Sequence, residues 1–214
     1  MKCYVSDENQ QMKEVQMSFE KRDGGEMQLV KVYPSISYQK ILGMGGAFTE
    51  ASAYTYARMS EEKQKELISL YFGDEGNNYN FCRTHIQSCD FALGNYVYVT
   101  DETDSELKTF SIENDRKYIL PLIKAALEKN KYIQFLASPW SPPAYMKTNG
   151  EMNHGGKLKD EYRKMWADMM ARYISEYAKE GVKISRLTVQ NEPAATQTWD
   201  SCLFSAKEEA EFVV

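Results

Sequence analysis

The stretch Tyr132-Ile133-Gln134-Phe135-Leu136-Ala137-Ser138-Pro139-Trp140-Ser141-Pro142-Pro143 decides how the chain is read. An apolar, strand-forming run passes directly into the proline-rich segment Ser138 to Pro143. After a loop rich in glycine and asparagine comes the clearest helix. Tyr162, Met165, Trp166, Met169, Tyr173, Ile174 and Tyr177 recur at helical spacing, and Gly181 is placed to cap the C-terminus. This stripe of methionines and aromatics reads as a buried packing face. Arg186-Leu187-Thr188-Val189-Gln190 follows as a strand, ending at Asn191-Glu192-Pro193. Strand, helix and strand in this succession make a parallel βαβ unit.

The same alternation extends toward the N-terminus. Tyr79 to Ile86 is a strand, and a polar, acidic stretch from Asn95 to Asn114 separates it from a helix around Lys117 to Lys129. Pro121 inside that helix implies either a late start or a kink. Before them, a glycine-rich strand covers Ile41 to Phe48, and Ser60 caps a helix with Leu67, Leu70 and Tyr71 on one face and Gly73 at its end. At the other end, Ser205-Ala206-Lys207-Glu208 is a capping box that starts a further helix. Residues 1–40 differ in character. Glu14 to Phe19 and Gln28 to Tyr33, around the turn Arg22 to Glu26, form a hairpin that needs a larger sheet to join.

Strands alternating with helices fit either an open doubly wound sheet or a closed barrel. Gly43-Met44-Gly45-Gly46-Ala47 lacks the third glycine of the dinucleotide fingerprint and does not open into a helix. Polar and aromatic residues gather instead where strands end, which in a barrel is the catalytic face. The expectation is an α/β fold, a (β/α)8 TIM barrel of which residues 41–214 supply the first four βα units. The missing C-terminal half of the barrel would then be a required partner.

Composition narrows the function. The 214 residues are 43% hydrophobic and 27% charged, the balance of an ordinary globular protein. A net charge of −5 argues against nucleic acid as a partner. The N-terminus lacks the apolar stretch of a signal peptide, and no segment is apolar for long enough to span a bilayer. As written, the sequence is expected to be cytoplasmic. Cys3, Cys82, Cys89 and Cys202 are scattered, so reduced thiols are expected, with no metal site and no cofactor.

Asn191-Glu192-Pro193 is the strongest chemical signal. A carboxylate at the C-terminal end of a barrel strand is held by rigid backbone beside the loop-built cavity. There it can give a proton to a leaving oxygen and then take one from water, as a glycosidase acid/base must. Asn191 can donate to a sugar hydroxyl. Trp140 offers a flat face to pyranose C–H groups, and Asp90, in Ser88-Cys89-Asp90-Phe91, can accept from adjacent hydroxyls. Arg83 is a cation in an apolar run and calls for a partner, for which a site carboxylate is the natural choice. Each has a bland alternative as core, cap or ion pair; their shared placement at strand ends favours a sugar site. Strict alternation puts Asn191 and Glu192 on opposite faces, so one site can use both only if the strand end twists or bulges. His85 shares the parity of Arg83 and reads as a satisfied core or rim histidine.

Several stretches resemble glycoside hydrolase family 30, in its glucosylceramidase-like (acid β-glucosidase) branch. They are Gly43 to Ala51, Tyr79 to Arg83, Ser88 to Phe91, Leu136 to Pro142, Lys147 to Gly150 and Gln190 to Pro193, in the family's order. The resemblance implies a (β/α)8 barrel with an accompanying β-sandwich, to which the strands of residues 1–40 would belong. It implies Glu192 as the acid/base, Asn191 as the contact to the sugar 2-hydroxyl, Asp90 and Trp140 as glucosyl subsite residues, and Arg83 as support for the catalytic carboxylates. The family's nucleophile is a glutamate on the seventh strand, which no residue here matches; Glu50 belongs to the turn after the first strand and reads as structural. The implied substrate is a β-glucoside or related carbohydrate, cleaved with retention, and the chain alone is expected to hydrolyse nothing. A non-catalytic truncated fragment, and an endo-β-glucanase or β-xylosidase on the same barrel, are the competing readings.

Overall fold

The structure is a computed structural model that describes residues 3–18 and 31–213. Within the chain, residues 1–40 and 41–214 form two compact units.

In the first unit, β1 (Cys3–Asp7) pairs antiparallel with β2 (Gln10–Val15). The Asp7 carboxylate closes the turn by accepting from the Asn9 N–H at 2.9 Å, an Asx turn. This hairpin precedes the expected one, of which Phe19 and the turn Arg22 to Glu26 lie outside the described residues. Of the second expected strand, Gln28 to Val30 fall outside the described residues, and residues 31–33 are in no strand.

The second unit holds four parallel strands in one sheet: β3 (Ala47–Phe48), β4 (Phe81–Ile86), β5 (Gln134–Pro139) and β6 (Ile184–Leu187). Their spatial order follows the sequence without reversal. An open doubly wound sheet reverses its order at a switch point, so this is the winding of consecutive barrel units. Ala47 pairs with Arg83 and Arg83 with Leu136 in step, while Leu136 pairs with Arg186 after a register shift between Phe135 and Leu136.

The glycine-rich stretch before β3 is less regular than a strand. Met44 O accepts from the N–H groups of both Asn80 and Phe81, at 2.9 and 3.1 Å. A Cβ on Gly45 would sit 2.1 Å from Phe81 O, so only glycine lets the two backbones meet here. Immediately after β3, Thr49 and Ser52 form a capping box that starts α1 (Glu50–Ala57). Glu50 thus opens a helix where the sequence reading placed a turn.

Helix α2 (Glu61–Phe72) runs from the Ser60 cap to Gly73 as expected, but it buries Ile68 and Phe72, while Leu70 and Tyr71 of the expected apolar face are exposed. The Pro121 question resolves as a restart. A first helix, α3 (Glu113–Lys117), breaks at Tyr118, and α4 (Ile119–Lys129) begins with Pro121 in its first turn, where no intrahelical N–H is needed. Helix α5 (Arg163–Lys179) buries Met165, Trp166, Met169, Met170, Tyr173 and Tyr177, and Gly181 follows it at φ +81°. The Ser205 box starts α6 (Ala206–Val213), with the Ser205 N–H donating to Glu208 Oε2 at 2.7 Å. Phe48, Phe72 and Phe135 meet in the core between sheet and helices, with ring centroids 5.5 Å apart in both the Phe48–Phe72 and Phe48–Phe135 pairs.

Candidate active site

The C-terminal ends of β4, β5 and β6 bring the sequence-selected residues together around Arg83. Its Nη2 donates to Asn191 Oδ1 at 2.7 Å and its Nε to Ser138 Oγ at 3.1 Å. The guanidinium carbon lies over the Trp140 ring, 4.5 Å from the centroid, a cation–π contact. Burial lowers the Arg83 pKa, while the negative charges of Asp90 and Glu192 oppose that shift. Three strands thus converge on one cation.

The expected direct carboxylate partner is replaced by neutral ones. Arg83 hydrogen-bonds a hydroxyl and an amide, and it feels the two carboxylates through space. Because Arg83 occupies Asn191 Oδ1, the Asn191 amide hydrogens are the groups left to donate.

The chain beyond β6, which ends at Leu187 rather than at the expected Gln190, carries the irregularity that the Asn191–Glu192 pair demands. The Thr188 N–H donates to Ala137 O at 3.1 Å and the Asn191 N–H to Pro139 O at 2.8 Å. Three residues advance on one side against two on the other, a bulge. Glu192 then adopts φ +46°. That conformation costs a non-glycine residue about 1–3 kcal/mol and frees the carboxylate from strand alternation. Glu192 is exposed. Gln190, buried beneath, donates from Nε2 to Trp140 O at 2.6 Å and to Asn191 O at 2.9 Å, tying the two strand ends.

Asp90 is exposed on the loop after β4. That loop is fixed from α1, where the Ala51 N–H donates to Phe91 O at 2.9 Å and Glu50 Oε2 accepts from the Leu93 N–H at 2.7 Å. Glu50 is buried, and its other oxygen accepts from Asn114 Nδ2 at 2.6 Å. With both oxygens engaged, it serves as a tether for the Asp90 loop. His85 is fully enclosed: its Nε2 accepts the Glu50 N–H at 3.1 Å, so Nδ1 carries the proton that meets Gln87 O at 2.5 Å. Burial lowers its pKa and keeps it neutral. Its ring packs edge-on to Trp140 at 6.4 Å, a satisfied core histidine backing a site residue.

Two loops beyond the strand ends are laced over Lys147. This lysine is buried, and its Nζ donates to Met152 O at 2.8 Å and Ser201 O at 2.6 Å. Burial pulls its pKa down to about 8. Further bonds join the loops: the His154 N–H to Gln197 O at 2.8 Å, the Ser201 N–H to Met152 O at 3.1 Å, and the Leu203 N–H to Gly156 O at 2.8 Å. Nothing in the sequence marked Lys147 as buried, although its stretch was among those carrying the resemblance. Gln190 entered only as part of a stretch carrying the resemblance, and Gln197 carried no signal, because a glutamine reads as solvated. Among the described residues, no group of three His, Cys, Asp or Glu side chains is placed to hold a metal ion, and no helix is long and apolar enough to cross a membrane.

Residues 41–214 match the glycosyl hydrolase family 30 TIM-barrel domain. The chain is 38% identical over 173 residues to the lysosomal acid glucosylceramidase of Mus musculus, covering 78% of this chain and 34% of that protein. It is 26% identical to an endo-1,6-beta-D-glucanase of Neurospora crassa, over 83% of this chain and 38% of the relative. Among solved structures, SrfJ from Salmonella typhimurium superposes with a TM-score of 0.87 at 44% identity, over 99% of this chain and 48% of that one. The chain therefore spans about a third of the length of these curated relatives.

Proposed function

The chain belongs to glycosyl hydrolase family 30, and from that premise we propose that it carries the acid/base and one wall of the glucosyl subsite of a retaining β-glucosidase. The observation that carries this reading is the convergence on Arg83, which joins Asn191, Trp140 and, electrostatically, Asp90 and Glu192. Glu192 protonates the departing glycosidic oxygen, and its carboxylate then takes a proton from the water that releases the sugar. Asn191 donates to the hydroxyl beside the reacting carbon, Asp90 accepts from hydroxyls farther along the ring, and Trp140 stacks on the pyranose.

The nucleophile is a second carboxylate that we place outside these 214 residues, about 5–5.5 Å from Glu192 in the assembled barrel. On this reading the chain alone hydrolyses nothing, and the remaining barrel units supply the wall that desolvates Glu192. The strands of residues 1–40 belong to an accompanying β-sandwich. Glucosylceramide or another β-glucoside is the substrate, in keeping with the mouse relative's name.

The fungal relative's name supports a second reading, an endo-acting β-glucanase. A panel of nitrophenyl glycosides and β-glucans, given to the full-length protein with product stereochemistry followed by NMR, tests both. Release of β-glucose from the aryl β-glucoside is the expected result. Internal cleavage of a β-glucan with no action on aryl glucosides would favour the endo reading, and α-glucose as first product would refute retention.

A further inference from the structure

We propose that Gln197 is a positioning residue for Glu192, fixing which carboxylate oxygen is free to carry the catalytic proton. The proposal rests on the reading of Glu192 as acid/base. Gln197 Nε2 points at Glu192 Oε2 from 3.5 Å, the outer limit of a hydrogen bond, and bonds of a catalytic carboxylate are often long until substrate binds.

What separates this contact from a chance surface approach is the anchoring of Gln197. Its N–H donates to Ser201 Oγ at 3.2 Å, and its carbonyl accepts from the His154 N–H at 2.8 Å and from Ser201 Oγ at 3.3 Å. Ser201 is buried, its Oγ also accepts the Gly155 N–H at 2.9 Å, and its carbonyl is one of the two held by the Lys147 ammonium. A Cβ on Gly155 would meet Thr196 Oγ1 at 2.7 Å, so the neighbouring loop lies tight against the residue before Gln197. The platform is built from two strand-end loops and is independent of the Gln197 side chain.

Glu192, by contrast, is exposed and lies in a strained turn, so its carboxylate needs an external restraint. An amide N–H donor occupies one oxygen, here Oε2, and leaves Oε1 to exchange the proton. Unlike an ammonium or imidazolium, the amide holds the same charge at every working pH and cannot trap that proton.

Such a role has a signature that a structural role lacks. A leaving group that needs no protonation, such as 2,4-dinitrophenolate, departs without the acid, whereas an alcohol does not. In the full-length protein, Gln197→Leu is expected to lower kcat/KM for methyl β-glucoside by about tenfold or more while changing that for 2,4-dinitrophenyl β-glucoside less than about twofold. Gln197→Ala should reproduce the split, and equal melting temperatures would show that the platform stands. Equal losses on the two substrates in both variants, or no loss on either, would overturn the proposal. Wild-type turnover of methyl β-glucoside by Glu192→Gln would instead remove the acid assignment itself, and the proposal with it.

Discussion

Arg83 is tied at three points, and each uses a different property of the guanidinium. The fork reaches Ser138 and Asn191 in two directions, the plane lies on Trp140, and the charge, which persists at neutral pH, is attracted through space to Asp90 and Glu192. Lysine supplies the charge but neither the fork nor the plane. Arg83→Lys should therefore lower kcat/KM of the full-length enzyme by about 10–100-fold, the worth of one charge-assisted hydrogen bond. A loss below about threefold would show that charge alone suffices. The role of Arg83 was half legible in the sequence: a cation in an apolar strand demands partners, but which ones depends on the registry of β4, β5 and β6. The same limit applied to Glu192, whose place at the end of an apolar strand was visible while the bulge and the positive φ that aim it were not.

The elements that sequence revealed best were those with chemical punctuation at both ends. Ser60 and Gly73, and the Ser205–Glu208 box, bound helices where the side chains say they should. Helix α1 was missed because, of its eight residues, only Glu50 and Ala53 are buried, and that is too little to make an apolar stripe. Its capping box Thr49–Ser52 was nevertheless present to be read. Lys147 was invisible for a physical reason: a lysine is ordinarily solvated, and only tertiary structure can bring it two buried carbonyls. Lys147→Ala would leave Met152 O and Ser201 O without donors and should cost about 2–5 kcal/mol in urea unfolding. A loss under about 0.5 kcal/mol would mean that water replaces the ammonium.

Helix α3 presents another buried charge. Asp115 is fully enclosed and accepts from Tyr96 at 2.8 Å, Tyr98 at 2.7 Å and Tyr177 at 2.8 Å, joining the β4–α4 connection to α5. Burial outweighs these three donors and raises its pKa from 3.8 to about 6. Between those values the folded protein binds more protons than the unfolded chain, so this group's contribution falls as pH rises. Stability should drop by roughly 2 kcal/mol from pH 4 to pH 6 relative to Asp115→Asn, which lacks the titration. Parallel pH profiles for the two proteins would contradict this account of Asp115.

At the scale of the whole molecule, the parallel strands in unreversed order and the likeness to SrfJ place the three site-bearing strand ends side by side on one face. The barrel winding was legible from the strand–helix alternation and the missing nucleotide fingerprint. The β1–β2 hairpin of the first unit was not, because Cys3 to Asp7 is short and only weakly alternating. The central claim is that Glu192 is the acid/base of a retaining site, and nucleophilic rescue tests it most directly. With 2,4-dinitrophenyl β-glucoside, the full-length Glu192→Ala variant should form the glycosyl-enzyme and stall, since no base activates water. Azide needs no base, so it should restore turnover and yield β-glucosyl azide. Turnover unchanged by azide and close to that of the wild type, or an α-glucosyl azide product, would contradict the assignment.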